Sequence, residues 1–212
     1  MAIIKNGVLG GFSGKVGNIV GSSWRGIAYV RSLPRRSKKE PSEKQLAHRM
    51  KFKLAFAFVN PIRALINLGY RDSKIRYTTA VGQLLGTIMQ TAVVGEYPDL
   101  KLDPKQIKIS RGSLPDLLNL KLSVNSQTEF TISWAYDPEK SNGQSADRVV
   151  GLIYDERIRE FAHLEEIERF KRVNQINIPL HLESDNLHFW VFCYDKQTGN
   201  VSNSQYFLVN RV

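Results

Sequence analysis

The spacing of apolar residues changes once along this chain, and that change limits its fold more than any other feature. Between Ser42 and Gly95 apolar residues recur every three or four positions, the period of a helix face. From about Pro115 they alternate or run together in short stretches bounded by turn residues, the mark of strands. Helices followed by strands predict an α+β chain whose C-terminal part is an antiparallel β-sandwich. At 212 residues with 42% hydrophobic content, the chain is long enough to bury a core without disulfide or metal staples.

The helical part reads in three pieces. Ser42 is placed as an N-cap, with Gln45 three positions on. Leu46, Met50, Leu54, Ala57 and Phe58 then form one apolar stripe. Asn60-Pro61 reads as a second cap, leading into Ile62–Leu68 and a stop at Gly69. A third helix is expected over about Thr79–Val94, with Val81, Leu84, Leu85, Ile88, Met89 and Ala92 on one face. One short strand is expected at Gln106–Ser110.

Strands are expected at Leu118–Val124, Phe130–Trp134, Val149–Tyr154, Ile176–Leu180, His188–Tyr194 and Ser204–Val209. A hairpin connection is expected at Lys196–Asn200. The stretch 159–172 reads as helical or irregular. The expected domains are a glycine-rich basic ribbon and linker over 1–41, a helical segment over 42–112 and the sandwich over 113–212.

Residues 7–26 hold seven glycines. Gly11-Phe12-Ser13-Gly14-Lys15-Val16-Gly17 lacks the lysine-hydroxyl ending and the strand-to-helix setting of a phosphate-cradling loop. A β-ribbon fits better. Lys15–Trp24 is expected to pair with Ile27–Ser32 across a turn at Arg25-Gly26. Ile27, Tyr29 and Arg31 then face one side, and Ala28, Val30 and Ser32 the other.

Charge divides the chain. The net charge is +10, and residues 1–60 alone hold 12 Lys or Arg against two Glu. Residues 111–212 hold 11 basic against 14 acidic groups. A positive field in one half attracts nucleic acid, anionic lipid or an acidic protein face. The bland alternatives are a solvated surface, or docking of the basic half on the acidic half of the same or a neighbouring chain. The candidate anion contacts are Lys15, Arg25, Arg31, Arg35, Arg36, Lys38, Lys39, Arg49, Lys51 and Lys53, with Trp24 and Tyr29 as candidate stacking residues. The competing role for those aromatics is core packing.

Catalytic chemistry finds little to stand on. The four histidines show no metal-ligand spacing, and no HExxH, CxxC or Gly-x-Ser-x-Gly motif occurs. His181 and His188 flank Glu183 and Asp185, an arrangement better read as a strand-end surface. Cys193 sits in the apolar run Phe189–Tyr194 and is expected to be a small buried residue. No cofactor, metal site or small-molecule substrate is expected. With no apolar window of spanning length and no secretory leader, the expected location is the cytoplasm.

Two resemblances follow from these residues. Leu118–Val209, with Trp134 and the late strand bearing Trp190 and Tyr194, resembles an immunoglobulin or fibronectin type III sandwich. Over nearly the whole chain, Gly10–Asn18, Trp24–Gly26, Arg31–Pro34, Gln45–Phe52 and Val201–Ser204 resemble an uncharacterised Bacteroidota family labelled only as a domain of unknown function. Trp24-Arg25-Gly26, Arg31-Ser32 and the Gln45-Leu46-Ala47-His48-Arg49 segment are also similar to segments of phage-like structural proteins, which implies incorporation into a larger particle. The function expected first is therefore non-enzymatic assembly, with itself or with other proteins. Binding of DNA or RNA by the basic half is the alternative.

Overall fold

The computed structural model describes residues 3–4, 10–24, 26–35, 39–72, 78–126, 128–137, 147–179, 182 and 186–210. It divides into two units, Met1–Ser42 and Glu43–Val212.

The first unit is an antiparallel sheet of four strands in chain order: β1 (Ile3–Ile4), β2 (Phe12–Val16), β3 (Ile19–Trp24) and β4 (Ile27–Ser32). The expected ribbon is thus corrected, because Lys15–Trp24 is not one strand. Gly17 takes a left-handed φ of 56° and, with Asn18, turns the chain so that Val16 pairs with Ile19. The turn at position 26 is where the sequence placed it. Gly26 has φ 83°, and Trp24 pairs with Ile27. Gly21 is needed for a different reason: the Phe12 ring and carbonyl lie where a Cβ would stand.

The second unit begins with helices α1 (Glu43–Val59), α2 (Arg63–Gly69) and α3 (Ala80–Thr87), the last continuing as one π turn over Ile88–Ala92. Two expectations shift here. The Asn60 N–H bonds the Phe56 carbonyl, so Asn60 closes α1 instead of opening α2. Gly69 is the last residue of α2, and its missing Cβ leaves room for the backbone of Ile109 and Ser110. The hairpin of β5 (Val93–Val94) and β6 (Lys101–Leu102) follows. The strand expected at Gln106–Ser110 does not form: a 3-10 turn covers Pro104–Gln106, and residues 107–110 run on without regular structure.

The remaining strands are β7 (Leu118–Val124), β8 (Glu129–Ala135), β9 (Arg148–Asp155), β10 (Glu160–His163), β11 (Ile167–Glu168), β12 (Val173–Asn177), β13 (Asn186–Tyr194) and β14 (Gln205–Asn210). They form two antiparallel sheets, β12-β8-β7 and β10-β9-β13-β14, with β11 also on β9. Phe130, Ile132 and Trp134 of β8 pack with Val149 and Ile153 of β9 and with Phe189, Val191 and Cys193 of β13. This is the core of a sandwich.

The alternate residues of the same two strands point the other way. Val150, Leu152 and Tyr154, with Trp190, Phe192 and Tyr194, pack with Phe58, Ile62, Ile66, Leu84 and Ile88 of the helical part. The middle sheet is therefore covered on both faces. That is why Val149–Tyr154 and Phe189–Tyr194 are apolar without alternation: neither face meets water. The Trp190 indole N–H bonds the Ile107 carbonyl at 2.9 Å, and the Trp134 indole N–H bonds the Arg169 carbonyl at 2.6 Å.

Candidate functional site

Strand pairing sorts the N-terminal sheet into two faces. Lys15 lies opposite Val20, and Val20 opposite Arg31, so the two cations flank Val20 on one face. The next pairs on that face are Ser22 with Tyr29 and Trp24 with Ile27. Four of the candidate residues, Lys15, Arg31, Trp24 and Tyr29, thus share one face of a twisted sheet. The other face carries Val16, Ile19 and Val30, and there the Phe12 ring lies over Gly21.

Gly21 is the only buried residue among those of this unit whose burial is described. Ile27 is 64% exposed, Val30 56% and Val16 50%, and Trp24 and Tyr29 are exposed as well. Core packing, the competing role for those two aromatics, does not describe them.

The other candidate cations are distributed differently. Arg35 is exposed beyond the end of β4, and Lys39 is exposed before α1. Arg25, Arg36 and Lys38 lie outside the described residues. Arg49 and Lys53 are exposed on α1 in the second unit, where Lys51 is half-buried.

The buried side of α1 keeps part of the expected stripe: Phe58 is buried and Met50 and Leu54 pack against the core, but Leu46 and Ala57 are exposed and Ala55 and Val59 are buried in addition. Tertiary contacts, not the repeat alone, set which side faces inward. Sequence reasoning also missed an exposed feature of this helix. Phe52 and Phe56 stack at 5.8 Å, and the Arg63 guanidinium lies 5.6 Å from the Phe56 ring centre. Their i, i+4 spacing was the available signal.

The groups with chemical potential are tied into packing. Cys193 is buried, and burial pushes its thiol up to about 12, far from a working nucleophile. His188 is buried, with Nδ1 2.8 Å from the Tyr206 hydroxyl and Nε2 3.6 Å from a Glu156 oxygen. Burial lowers its pKa below the ordinary 6.5, while Glu156, Asp103 and Asp155 act in the opposite direction. His181, Glu183 and Asp185, the neighbours weighed for it in the sequence, lie outside the described residues. Among the described residues no group of three or more His, Cys, Asp or Glu is placed to hold a metal.

Carboxylates of the C-terminal half pair with cations of that same half. Arg148 meets Glu168 at 2.7 Å, Lys196 meets Glu166 at 3.2 Å, and the buried Arg169 meets Asp147 at 3.1 Å. These three carboxylates are therefore engaged locally. No helix among the described residues is long and apolar enough to cross a membrane.

Comparison with known proteins adds a family and a set of similar shapes. A model described as "Family of unknown function (DUF6266)" matches residues 11–208. The chain resembles the fn3 domain of the human collagen alpha-1(XX) chain, at 11% identity and TM-score 0.37, over 49% of this chain and 91% of that one. It also resembles the fibronectin type-III domain of human fibronectin type III domain containing protein 3, at 16% identity and TM-score 0.34, over 49% and 94%. Comparison with curated proteins finds no match. The chain belongs to the DUF6266 family.

Proposed function

We propose that this DUF6266 member is a non-enzymatic assembly protein whose N-terminal sheet is the connector and whose sandwich-and-helix unit is the body. One observation carries the reading: the 42-residue connector has four strands and defined turns, but among its residues whose burial is described only Gly21 is buried. A sheet this small does not stabilise itself through its own core, and folded units near this size usually draw on oligomerisation, metals or disulfides. The exposed Val16, Ile19, Ile27 and Val30 supply the apolar surface that association would remove from water. The single cysteine of the chain is buried in the other unit, so no disulfide supplies the missing stability. In this reading the chain works as one component of a larger particle in the cytoplasm.

Light scattering across a concentration series tests it. The full chain is expected to be multimeric, and Ile27→Asp with Val30→Asp to return it to the monomer mass with the body's melting unchanged. A full chain that stays monomeric at the highest concentrations would falsify the reading.

A second reading rests on Lys15 and Arg31 sharing a face with Trp24 and Tyr29. Cations that hold phosphates beside rings that stack on bases make a surface for single-stranded nucleic acid. Arg25, Arg35, Arg36, Lys38 and Lys39 would extend the basic track, with Arg49, Lys51 and Lys53 on α1 as further contacts. Anisotropy with a labelled oligonucleotide distinguishes it. Affinity should fall steeply with salt, with a log–log slope of about −0.7 per phosphate contacted. Replacing Lys15 and Arg31 by Ala should flatten that slope. No binding at low salt removes this reading.

A further inference from the structure

We infer that two copies of this chain join through the outer edge of β4, antiparallel about a dyad at Val30, making one continuous sheet from two. The inference rests on the assembly reading above and specifies its interface.

Backbone direction decides which groups of β4 face outward. The Leu33 N–H bonds the Asn18 carbonyl at 2.7 Å, inward toward β3. Backbone groups alternate in direction along a strand, so Arg31, Tyr29 and Ile27 also point inward. Ala28, Val30 and Ser32 therefore point their N–H and C=O groups outward. The structure describes no further strand against that edge, and all six residues of β4 are exposed. The opposite edge is β1, only two residues long. A short edge is one of the ways proteins discourage pairing. β4 is six residues long and contains no proline or lysine, Arg31 being its one charge, and its sequence Ile-Ala-Tyr-Val-Arg-Ser is rich in strand formers.

The outward groups fix the register. With Val30 on the dyad, Val30 pairs with Val30 of the second copy, and Ala28 with Ser32 in both directions. Each pair exchanges two hydrogen bonds, so every outward group of the strand is used. Placing Tyr29 on the dyad instead keeps only the Ala28–Val30 pairings within the strand and leaves Ser32 without a strand partner.

Side chains agree with the Val30 register. On the cationic face Arg31 falls opposite Tyr29 of the second copy, a guanidinium beside a ring, on both sides of the dyad. No like charges oppose each other. On the other face Val30 meets Val30, and Ala28 meets Ser32. The joined sheet also doubles the width of the face that carries Lys15, Arg31, Trp24 and Tyr29.

Site-directed cross-linking in the full chain tests this. Cys193 is buried and stays silent under mild oxidation. In a Val30→Cys variant the two introduced Cα atoms would stand about 5.5 Å apart across the dyad, a separation a disulfide accepts. In Ile27→Cys they would stand roughly 20 Å apart, six residues along the strand. Oxidised Val30→Cys should run as a covalent dimer and Ile27→Cys should not. A Val30→Pro variant removes an outward N–H while sparing the β3–β4 ladder, and should lose the dimer mass in light scattering. If the wild-type chain is multimeric yet Val30→Cys does not cross-link and Val30→Pro keeps its mass, the β4 dyad is wrong and the assembly reading survives. If the chain is monomeric throughout, alone or with an oligonucleotide, both are overturned.

Discussion

The most informative single residue of the body is Arg169. It is buried with Asp147, its Nη2 donates to the Asp116 carbonyl at 2.9 Å, and its own carbonyl receives the Trp134 indole. Removing one member of such a pair leaves the other charge buried and unanswered. Asp147→Ala is expected to cost about 3–5 kcal/mol, read by urea denaturation. His188 adds a pH dependence. Burial lowers its pKa in the folded chain below 6.5, so the folded state holds it neutral while the unfolded chain takes up a proton. Its contribution is complete above about pH 6.5 and declines as the pH falls through that value. Melting temperature should therefore drop between pH 7 and pH 5, and His188→Gln should make that drop shallower. Cys193 was legible as an interior residue from its apolar run, and Trp134 from the alternation of Phe130, Ile132 and Trp134. The role of Arg169 was not, because its partners lie 22 and 53 residues away and local spacing says nothing of them.

Among the elements, α3 shows where local rules suffice and where they stop. Thr79 was expected to begin this helix, and its hydroxyl accepts the Gly82 N–H at 3.0 Å. Thr79→Ala is expected to lower stability by about 1 kcal/mol in thermal or chemical denaturation. The far end departs from the expected continuous helix. Thr87 and Thr91 hydroxyls bond back to the Gln83 and Thr87 carbonyls, and the backbone there widens into a π turn before β5. Such back-bonding competes with regular helix geometry, and apolar periodicity does not register it. The same limit hid the turn at Gly17-Asn18. Glycine was so frequent in that stretch that no single position stood out, and only strand pairing shows which one reverses the chain.

Across the whole molecule, the concentration of positive charge toward the N-terminus was plain in the sequence, while the layering was not. A sandwich read from alternation leaves its outer face to solvent. Here the helices cover one sheet of the sandwich, and the unbroken apolar runs of β9 and β13 were the trace of it. Both hydrophobic clusters draw all their buried members from residues 55–209. A truncated chain starting at Glu43 should therefore fold alone and melt within a few degrees of the full chain by calorimetry, while losing the multimeric mass. A large fall in its melting temperature would show that the sheet is part of the body. The sheet that hides almost nothing has a consequence for engineering. A segment that brings its own turns but leaves its outside unfinished behaves as a portable joint: fused ahead of an unrelated monomer, residues 1–42 should carry the capacity to couple with them.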